Sequence, residues 1–323
     1  AEAGLLLAQA YPDRIAQARG GRGRFVLRAG TEAWVTATDP LAGEALVAVA
    51  EVDGRRTGGR IRLAAPLAPD QLEEVAGDQV VEHARLVWDA DRDDLVARVE
   101  RELGRLRLGA VERRPAPGLP ATTALVDRVR STGLTALPWT DGARALQARV
   151  AFLAAVVGEP WPDLSDAELR RSLDDWLAPR LAAAGATGRA DLDRLDMAGV
   201  LRSLLPPAVA GDLDRLAPAA VAVPGGRRVP LAYGEGAPGD PPVLAVRVQD
   251  MFGATATPTV AGGRVPVVLH LLSPAGRPVQ VTSDLAGFWA GSWREVRKEM
   301  AGRYPKHPWP EDPATASPPS PRR

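Results

Sequence analysis

Apolar positions along the chain follow two periods, and the switches between them divide it into sections. Leu5, Leu6 and Ala10, ahead of Tyr11 and Pro12, read as the last turns of a helix closed by proline. From residue 25 to about 113 the two-residue period of strands takes over. Phe25-Val26-Leu27 and Ala33-Trp34-Val35 flank a turn at Ala29-Gly30-Thr31. Residues 46–52 form a nearly continuous apolar strand ended by the hairpin signal Asp53-Gly54, and Arg60-Ile61-Arg62-Leu63 alternates beyond it. Residues 70–75 read as a short interrupting helix. Ala84, Leu86 and Trp88 alternate before a turn at 89–92, and Leu106, Leu108 and Ala110 form a last strand. Residues 93–103 support two readings: a strand with Leu95, Ala97, Val99 and Leu103 on one face, or a charged helix with Arg/Glu spacing. Short strands at this spacing after a helix predict a small closed or partly open β-barrel.

Residues 115–120, rich in proline, read as a linker, after which the helical period appears. Leu125, Val129 and Leu134 mark one helix, and Leu146, Val150, Leu153 and Val157 a second. The clearest helix start is at Ser165, with Glu168 completing a capping box and Leu164 stapling to Leu169. Leu169, Leu173, Trp176 and Leu177 then line one face until Pro179 breaks or kinks it, and a short helix from Met197 to Leu204 stops at Pro206-Pro207. Near residue 219 alternation returns, with Val221 and Val223 pairing with Val229 and Leu231 across Pro224-Gly225-Gly226. Leu244, Val248, Met251 and Phe252 fit a helix, or a short strand. Val265, Val267, Leu269 and Leu271 alternate, turn at residues 273–276 and return through Val279 and Val281. Residues 283–301 predict one final helix carrying Leu285, Phe288, Trp289, Val296 and Met300, and the Pro/Ser tail, residues 311–323, is expected to be disordered. The fold class is α+β.

Composition narrows the chemistry. A length of 323 residues suggests two or three domains. Forty Lys+Arg against forty Asp+Glu exclude a uniformly basic nucleic-acid binder, so any contact with a polyanion must use local patches. The absence of cysteine removes disulfides, thiol nucleophiles and thiolate metal sites. His83, His270 and His307 lie too far apart to suggest a metal site. No apolar run approaches the roughly 18 residues of a membrane span. The first residues carry neither an initiating Met nor a signal peptide, so the sequence reads as an intracellular piece of a larger protein, beginning inside a helix. The two lysines, Lys298 after Arg297 and Lys306 after Pro305, lack the context of a phosphate loop, and no Gly-x-Ser-x-Gly elbow occurs. Asp93-Asp94 and Asp174-Asp175 are neighbours whose side chains point apart, and they read as solvated surface. No residue earns a catalytic role.

Three basic clusters remain. Arg14, Arg19, Arg22, Arg24 and Arg28 surround flexible glycines near Trp34, which fits either a groove tracking a nucleic-acid backbone with one stacking residue or a solvated loop. Arg55, Arg56, Arg60 and Arg62 around a hairpin tip fit phosphate contact or a charged strand edge that prevents pairing. Near the C-terminus Arg294, Arg297, Lys298, Arg303 and Lys306 mix with Trp293, Tyr304 and Trp309. There Tyr304, Pro305, His307, Pro308 and Trp309 are favoured as a structural clasp on the last helix, with Lys298 and Lys306 as secondary nucleic-acid contacts.

The assembled phrases resemble the C-terminal half of the HrpB family of bacterial DEAH-box ATP-dependent RNA helicases. They run in order from Ala10-Tyr11-Pro12-Asp13-Arg14-Ile15-Ala16, Asp39-Pro40-Leu41-Ala42-Gly43-Glu44 and Arg60-Ile61-Arg62-Leu63-Ala64-Ala65-Pro66-Leu67 to Leu137-Pro138-Trp139-Thr140. Trp161-Pro162-Asp163-Leu164-Ser165, Asp175-Trp176-Leu177-Ala178-Pro179, Ala261-Gly262-Gly263-Arg264-Val265-Pro266 and Leu271-Leu272-Ser273-Pro274-Ala275 follow, then Val296-Arg297-Lys298-Glu299 and residues 303–309. The resemblance implies the end of a helical ratchet-like domain at residues 1–18 and an oligonucleotide-binding-type β-barrel at 19–113. A helical part at 114–218 and a mixed strand/helix part at 219–310 would form a family-specific C-terminal region. It also implies a cytoplasmic protein whose ATP and Mg belong to RecA-like motor domains outside this chain, with no cofactor within it. Single-stranded RNA and those motor domains in cis are the implied partners, with no membrane. The alternative is a structural or protein-interaction module with no direct RNA contact.

Overall fold

The structure, a computed structural model, describes residues 2–54, 58–234 and 236–318. The chain divides into two compact units, one comprising Ala1–Leu125 with Gly185–Arg189 and the other Val126–Ala184 with Ala190–Arg323. In the first, α1 (Glu2–Ala10) ends at Pro12 and leads into five strands: β1 (Ile15–Ala18), β2 (Arg24–Leu27), β3 (Glu32–Trp34), β4 (Leu46–Val52) and β5 (Gly59–Pro66). They close a barrel in the order β1–β2–β3–β5–β4, with β4 paired back to β1. Only the β3–β5 pair is parallel.

The uninterrupted apolar run of β4 follows from burial on both faces. Val47 and Val49 join Ala16, Phe25, Leu27, Ala33 and Ile61 inside the barrel. Leu46 and Ala48 face a second cluster with Ala8 of α1, Leu72 and Ala76 of α2 (Pro69–Ala76), and Leu103 and Leu106. Beyond α2, β6 (Val81–Asp89), β7 (Asp94–Leu103) and β8 (Leu106–Arg113) form a separate antiparallel sheet with β7 central. The strand reading of residues 93–103 therefore holds from Asp94 to Leu103, with Asp93 in the preceding turn. Leu95, Ala97, Val99 and Leu103 are buried, and their outward neighbours meet opposite charges across strands, as in Arg98–Glu112 at 3.0 Å. The barrel occupies residues 15–66 rather than 19–113. Closure through β1 and β4 leaves no edge for later strands.

α3 (Leu119–Thr132) carries the chain from the first unit to the second. There follow α4 (Asp141–Val156), α5 (Asp166–Arg171), α6 (Leu173–Ala183), α7 (Arg189–Asp193), α8 (Met197–Ser203), α9 (Pro207–Ala210) and α10 (Leu213–Leu216). Ser165 caps α5 by accepting from the Glu168 N–H at 3.3 Å, but the Glu168 carboxylate turns to Arg171 instead of closing the box. The predicted face of Leu169, Leu173, Trp176 and Leu177 is buried, although the helix is interrupted at Ser172 and α6 runs through Pro179.

The remaining strands are the hairpin β9 (Ala220–Ala222) and β10 (Arg228–Pro230), β11 (Val243–Arg247), the short pair β12 (Thr259–Val260) and β13 (Val265–Pro266), β14 (Val268–Leu272) and β15 (Pro278–Thr282). Val221 lies opposite Val229 as the sequence pattern requires. The helix favoured over residues 244–252 is instead a strand, β11, followed by one 3-10 turn, because its apolar residues pair in parallel with β14. The single helix expected over 283–301 is two, α11 (Leu285–Ala290) and α12 (Trp293–Arg303), separated at Gly291-Ser292. Residues 311–318, expected to be disordered, pack instead: the Pro313 carbonyl, on a buried residue, accepts from the Gly253 N–H at 2.9 Å. Residues 319–323 lie outside the described set. Among the described residues no helix is long and apolar enough to cross a membrane.

Candidate nucleic-acid interface

Strand register decides which of the candidate residues meet. On the outer face of the barrel Trp34 of β3 lies directly across from Arg24 of β2 on one side and Arg60 of β5 on the other. All three are exposed, because Phe25, Ala33 and Ile61, one residue along each strand, take the inner positions. Trp34 keeps 38% of its surface in solvent, unusual for a tryptophan on a strand, and the Arg60 guanidinium sits 5.7 Å from its ring centroid. Arg19 and Arg22 are exposed on the β1–β2 connection, which is pinned by the Arg19 N–H donating to the Arg24 carbonyl at 3.0 Å. Arg24, Trp34 and Arg60 form one patch, with Arg19 and Arg22 on the connection that opens into β2.

Arg62 differs. Its guanidinium is held by Asp53 at 2.7 Å, and that hydrogen bond and charge keep it above its ordinary pKa, so its charge is already matched. Arg55 and Arg56 lie outside the described residues. A polar cleft of about 360 Å³ adjoins the platform, lined by Arg19, Val26, Gly30 and Glu32 of the barrel and by Glu102, Gly104, Arg105 and Arg107. Arg105 and Arg107 were missed in the sequence. Their signal was a Gly104-Arg105 turn between two alternating strands, but strand pairing alone does not reveal which barrel face that turn meets.

The C-terminal residues form a different kind of assembly. The Trp309 indole donates to the Tyr304 carbonyl at 2.9 Å, and the Trp293 indole to the Pro310 carbonyl at 3.1 Å. Arg297 donates to the Trp309 carbonyl at 2.9 Å, and the Tyr304 and His307 rings meet edge-on at 6.4 Å. Pro305 and Pro308 are exposed at the bends of this segment, while Lys298 and Lys306 point to solvent on the outside of the assembly. Asp93-Asp94, taken as solvated surface, are structural. Asp93 accepts from the Trp88 indole at 3.0 Å and from Arg189, and Asp94 accepts from the Arg189 N–H at 2.6 Å.

Residues 176–313 match the family model described as ATP-dependent helicase C-terminal, HrpB type. Over 316 residues, 97% of the chain, the sequence is 39% identical to the ATP-dependent RNA helicase HrpB of Escherichia coli K12. The chain matches the C-terminal part of HrpB. Its fold agrees: a crystal structure of the E. coli DExH-box NTPase HrpB superposes with a TM-score of 0.61 at 38% identity over 98% of the chain. A second, of the E. coli DEAH/RHA helicase HrpB, gives 0.54 at 35% identity over 94%. The chain spans only 38% of the HrpB sequence and 39% and 38% of those two crystallised chains.

Proposed function

We propose that this chain is the non-catalytic C-terminal portion of an ATP-dependent RNA helicase. The barrel holds single-stranded RNA, and the region after it braces motor domains that carry ATP and Mg. The observation that carries the reading is the exposed Trp34 flanked in register by Arg24 and Arg60. An aromatic ring between two cations offers a base a stacking surface and its phosphates a counter-charge, without reading sequence. The barrel's strand order, with β3 and β5 parallel, supports an oligonucleotide-binding fold, a type that uses the face of its second and third strands and the adjoining loops. Arg19, Arg22, Arg24 and Trp34 occupy those positions. The clasp around Trp309 supports a structural role for the last segment, with Lys298 and Lys306 as secondary RNA contacts.

A second reading, protein interaction without RNA, has one observation in its favour. The β6–β8 sheet matches its charges internally through Arg85–Glu100, Arg98–Glu112 and Arg113–Glu82, and it exposes Val81 and Val111. Fluorescence anisotropy of a labelled oligo-U on the 323-residue chain separates the two. RNA holding predicts binding that weakens with salt and falls at least about fivefold in Trp34→Ala, as expected for one lost base stack. No binding at low salt, or an unaffected Trp34→Ala variant, would falsify it for this chain.

A further inference from the structure

The cleft beside the platform is rigidly built, and its lining is not that of an ordinary solvated groove. The β7–β8 turn is fastened to the barrel by three hydrogen bonds made to its main chain. The Arg105 N–H donates to the Arg28 carbonyl at 2.9 Å, and the Gln17 side chain donates to the Arg107 carbonyl at 2.7 Å while accepting from its N–H at 3.1 Å. Gly104, at φ +58, fits the turn because a Cβ there would lie 2.6 Å from the Arg28 carbonyl oxygen. Arg105 and Arg107 are therefore held in place by their main chain, which leaves the Arg105 guanidinium to meet a ligand. Among the described residues, Arg107 has Glu102 at 3.8 Å, whereas neither Arg19 nor Arg105 has an ion pair or a side-chain hydrogen bond, and Glu32 likewise has none. Two guanidinium groups and one carboxylate with no partner among the described residues thus line one cleft.

Position relates this cleft to the stacking residue. Glu32 and Trp34 lie on the same face of β3, one side-chain repeat or roughly 7 Å apart, and their β2 partners are Val26 and Arg24. A strand of RNA with one base on Trp34 reaches the cleft with its next sugar and phosphate. We propose that the cleft is a ribose–phosphate subsite in which Arg19 and Arg105 take the phosphate and Glu32 accepts a hydrogen bond from the ribose 2′-hydroxyl. A carboxylate in a phosphate cleft is otherwise unfavourable, but a hydroxyl donor beside the phosphate gives it a partner. That contact distinguishes RNA from DNA. The proposal rests on the RNA-holding reading of Trp34 and extends it to residues on a second sheet.

The test is salt-dependent anisotropy of the 323-residue chain with labelled oligo-U and its deoxyuridine counterpart of equal length. Arg105→Ala, which leaves the backbone docking intact, is expected to weaken oligo-U binding several-fold and to reduce the slope of log K against log salt by about 0.7, one phosphate contact on a single strand. Trp34→Ala is expected to weaken binding with the slope unchanged. Glu32→Ala is expected to narrow the preference for oligo-U over oligo-dU. If Trp34→Ala loses affinity while Arg105→Ala and Arg19→Ala keep the parent affinity and slope, the subsite is wrong and the RNA-holding reading stands. If the parent chain does not bind, or Trp34→Ala is silent, that reading fails first. Equal tightening of both oligomers by Glu32→Ala would overturn the hydroxyl contact.

Discussion

Trp34 and Arg62 each lie in a basic neighbourhood of the sequence, and only their neighbours across the strands separate them. Trp34 was legible as a stacking candidate because it follows the arginine-rich run from Arg14 to Arg28. Its pairing with Arg24 and Arg60 was not, because register between β3 and a parallel β5 joins residues far apart in the chain. Arg62 was over-read: Asp53, named only as a turn residue, matches its charge. Gly59 escaped notice for the same reason. A Cβ there would sit 2.0 Å from the Asp53 carbonyl oxygen and 2.8 Å from Val52, where β4 and β5 close on one another. Gly59→Ala should therefore destabilise the barrel by about 1–3 kcal/mol, the usual cost of forcing backbone apart. A shifted urea midpoint for the first unit would show it, and an unchanged midpoint would mean the strands are not so close.

At the scale of elements, the strands from β2 to β8 were largely readable, because alternation and turn residues agree, whereas β1 lies in the arginine-rich stretch that carried no strand pattern. The helical readings failed where a local pattern was continuous but the chain was not. Residues 283–301 keep an apolar stripe through Gly291 and Ser292, yet the chain breaks there into α11 and α12. The break lets Phe288, Trp289 and Trp293 gather around Phe252, with the Trp309 ring tilted against Trp293 at 6.2 Å. Trp309 closes this aromatic cluster and fastens the last segment through its indole N–H. Trp309→Ala is expected to cost about 2 kcal/mol, less than full burial of a tryptophan would because the ring is half-exposed, and to lower the melting temperature of the second unit by several degrees. Oligo-U affinity should change less than twofold. Calorimetry and anisotropy on the same variant decide the matter, and a variant that loses RNA affinity without losing stability would overturn the clasp.

For the whole molecule, zero net charge hides an uneven distribution, in which many described arginines pair with a carboxylate and others do not. The sequence total excluded a general polyanion binder but could not show which arginines are matched. Pairing also sets how the chain responds to acid. Hydrogen bonds from Arg98 and Arg92 hold the Glu112 carboxyl below its ordinary value, Arg171 does the same for Glu168, and Arg149 for Asp214. Partial burial pushes Asp166 up, but hydrogen bonds from Gln147 and Arg144 outweigh it and leave that carboxyl lowered too. A carboxyl more acidic in the folded chain than in the unfolded one binds fewer protons when folded. Its contribution is complete above the unfolded value and disappears as the pH falls through the folded one. Melting temperature should therefore be flat from pH 7 to about 5 and fall progressively below about 4.5, where ordinary carboxyls begin to protonate. Each exposed pair adds little, so the decline should be gradual and Glu168→Gln should blunt it only slightly. A melting temperature that rose on acidification from pH 5 to 3 would show that these pairs do not stabilise the fold.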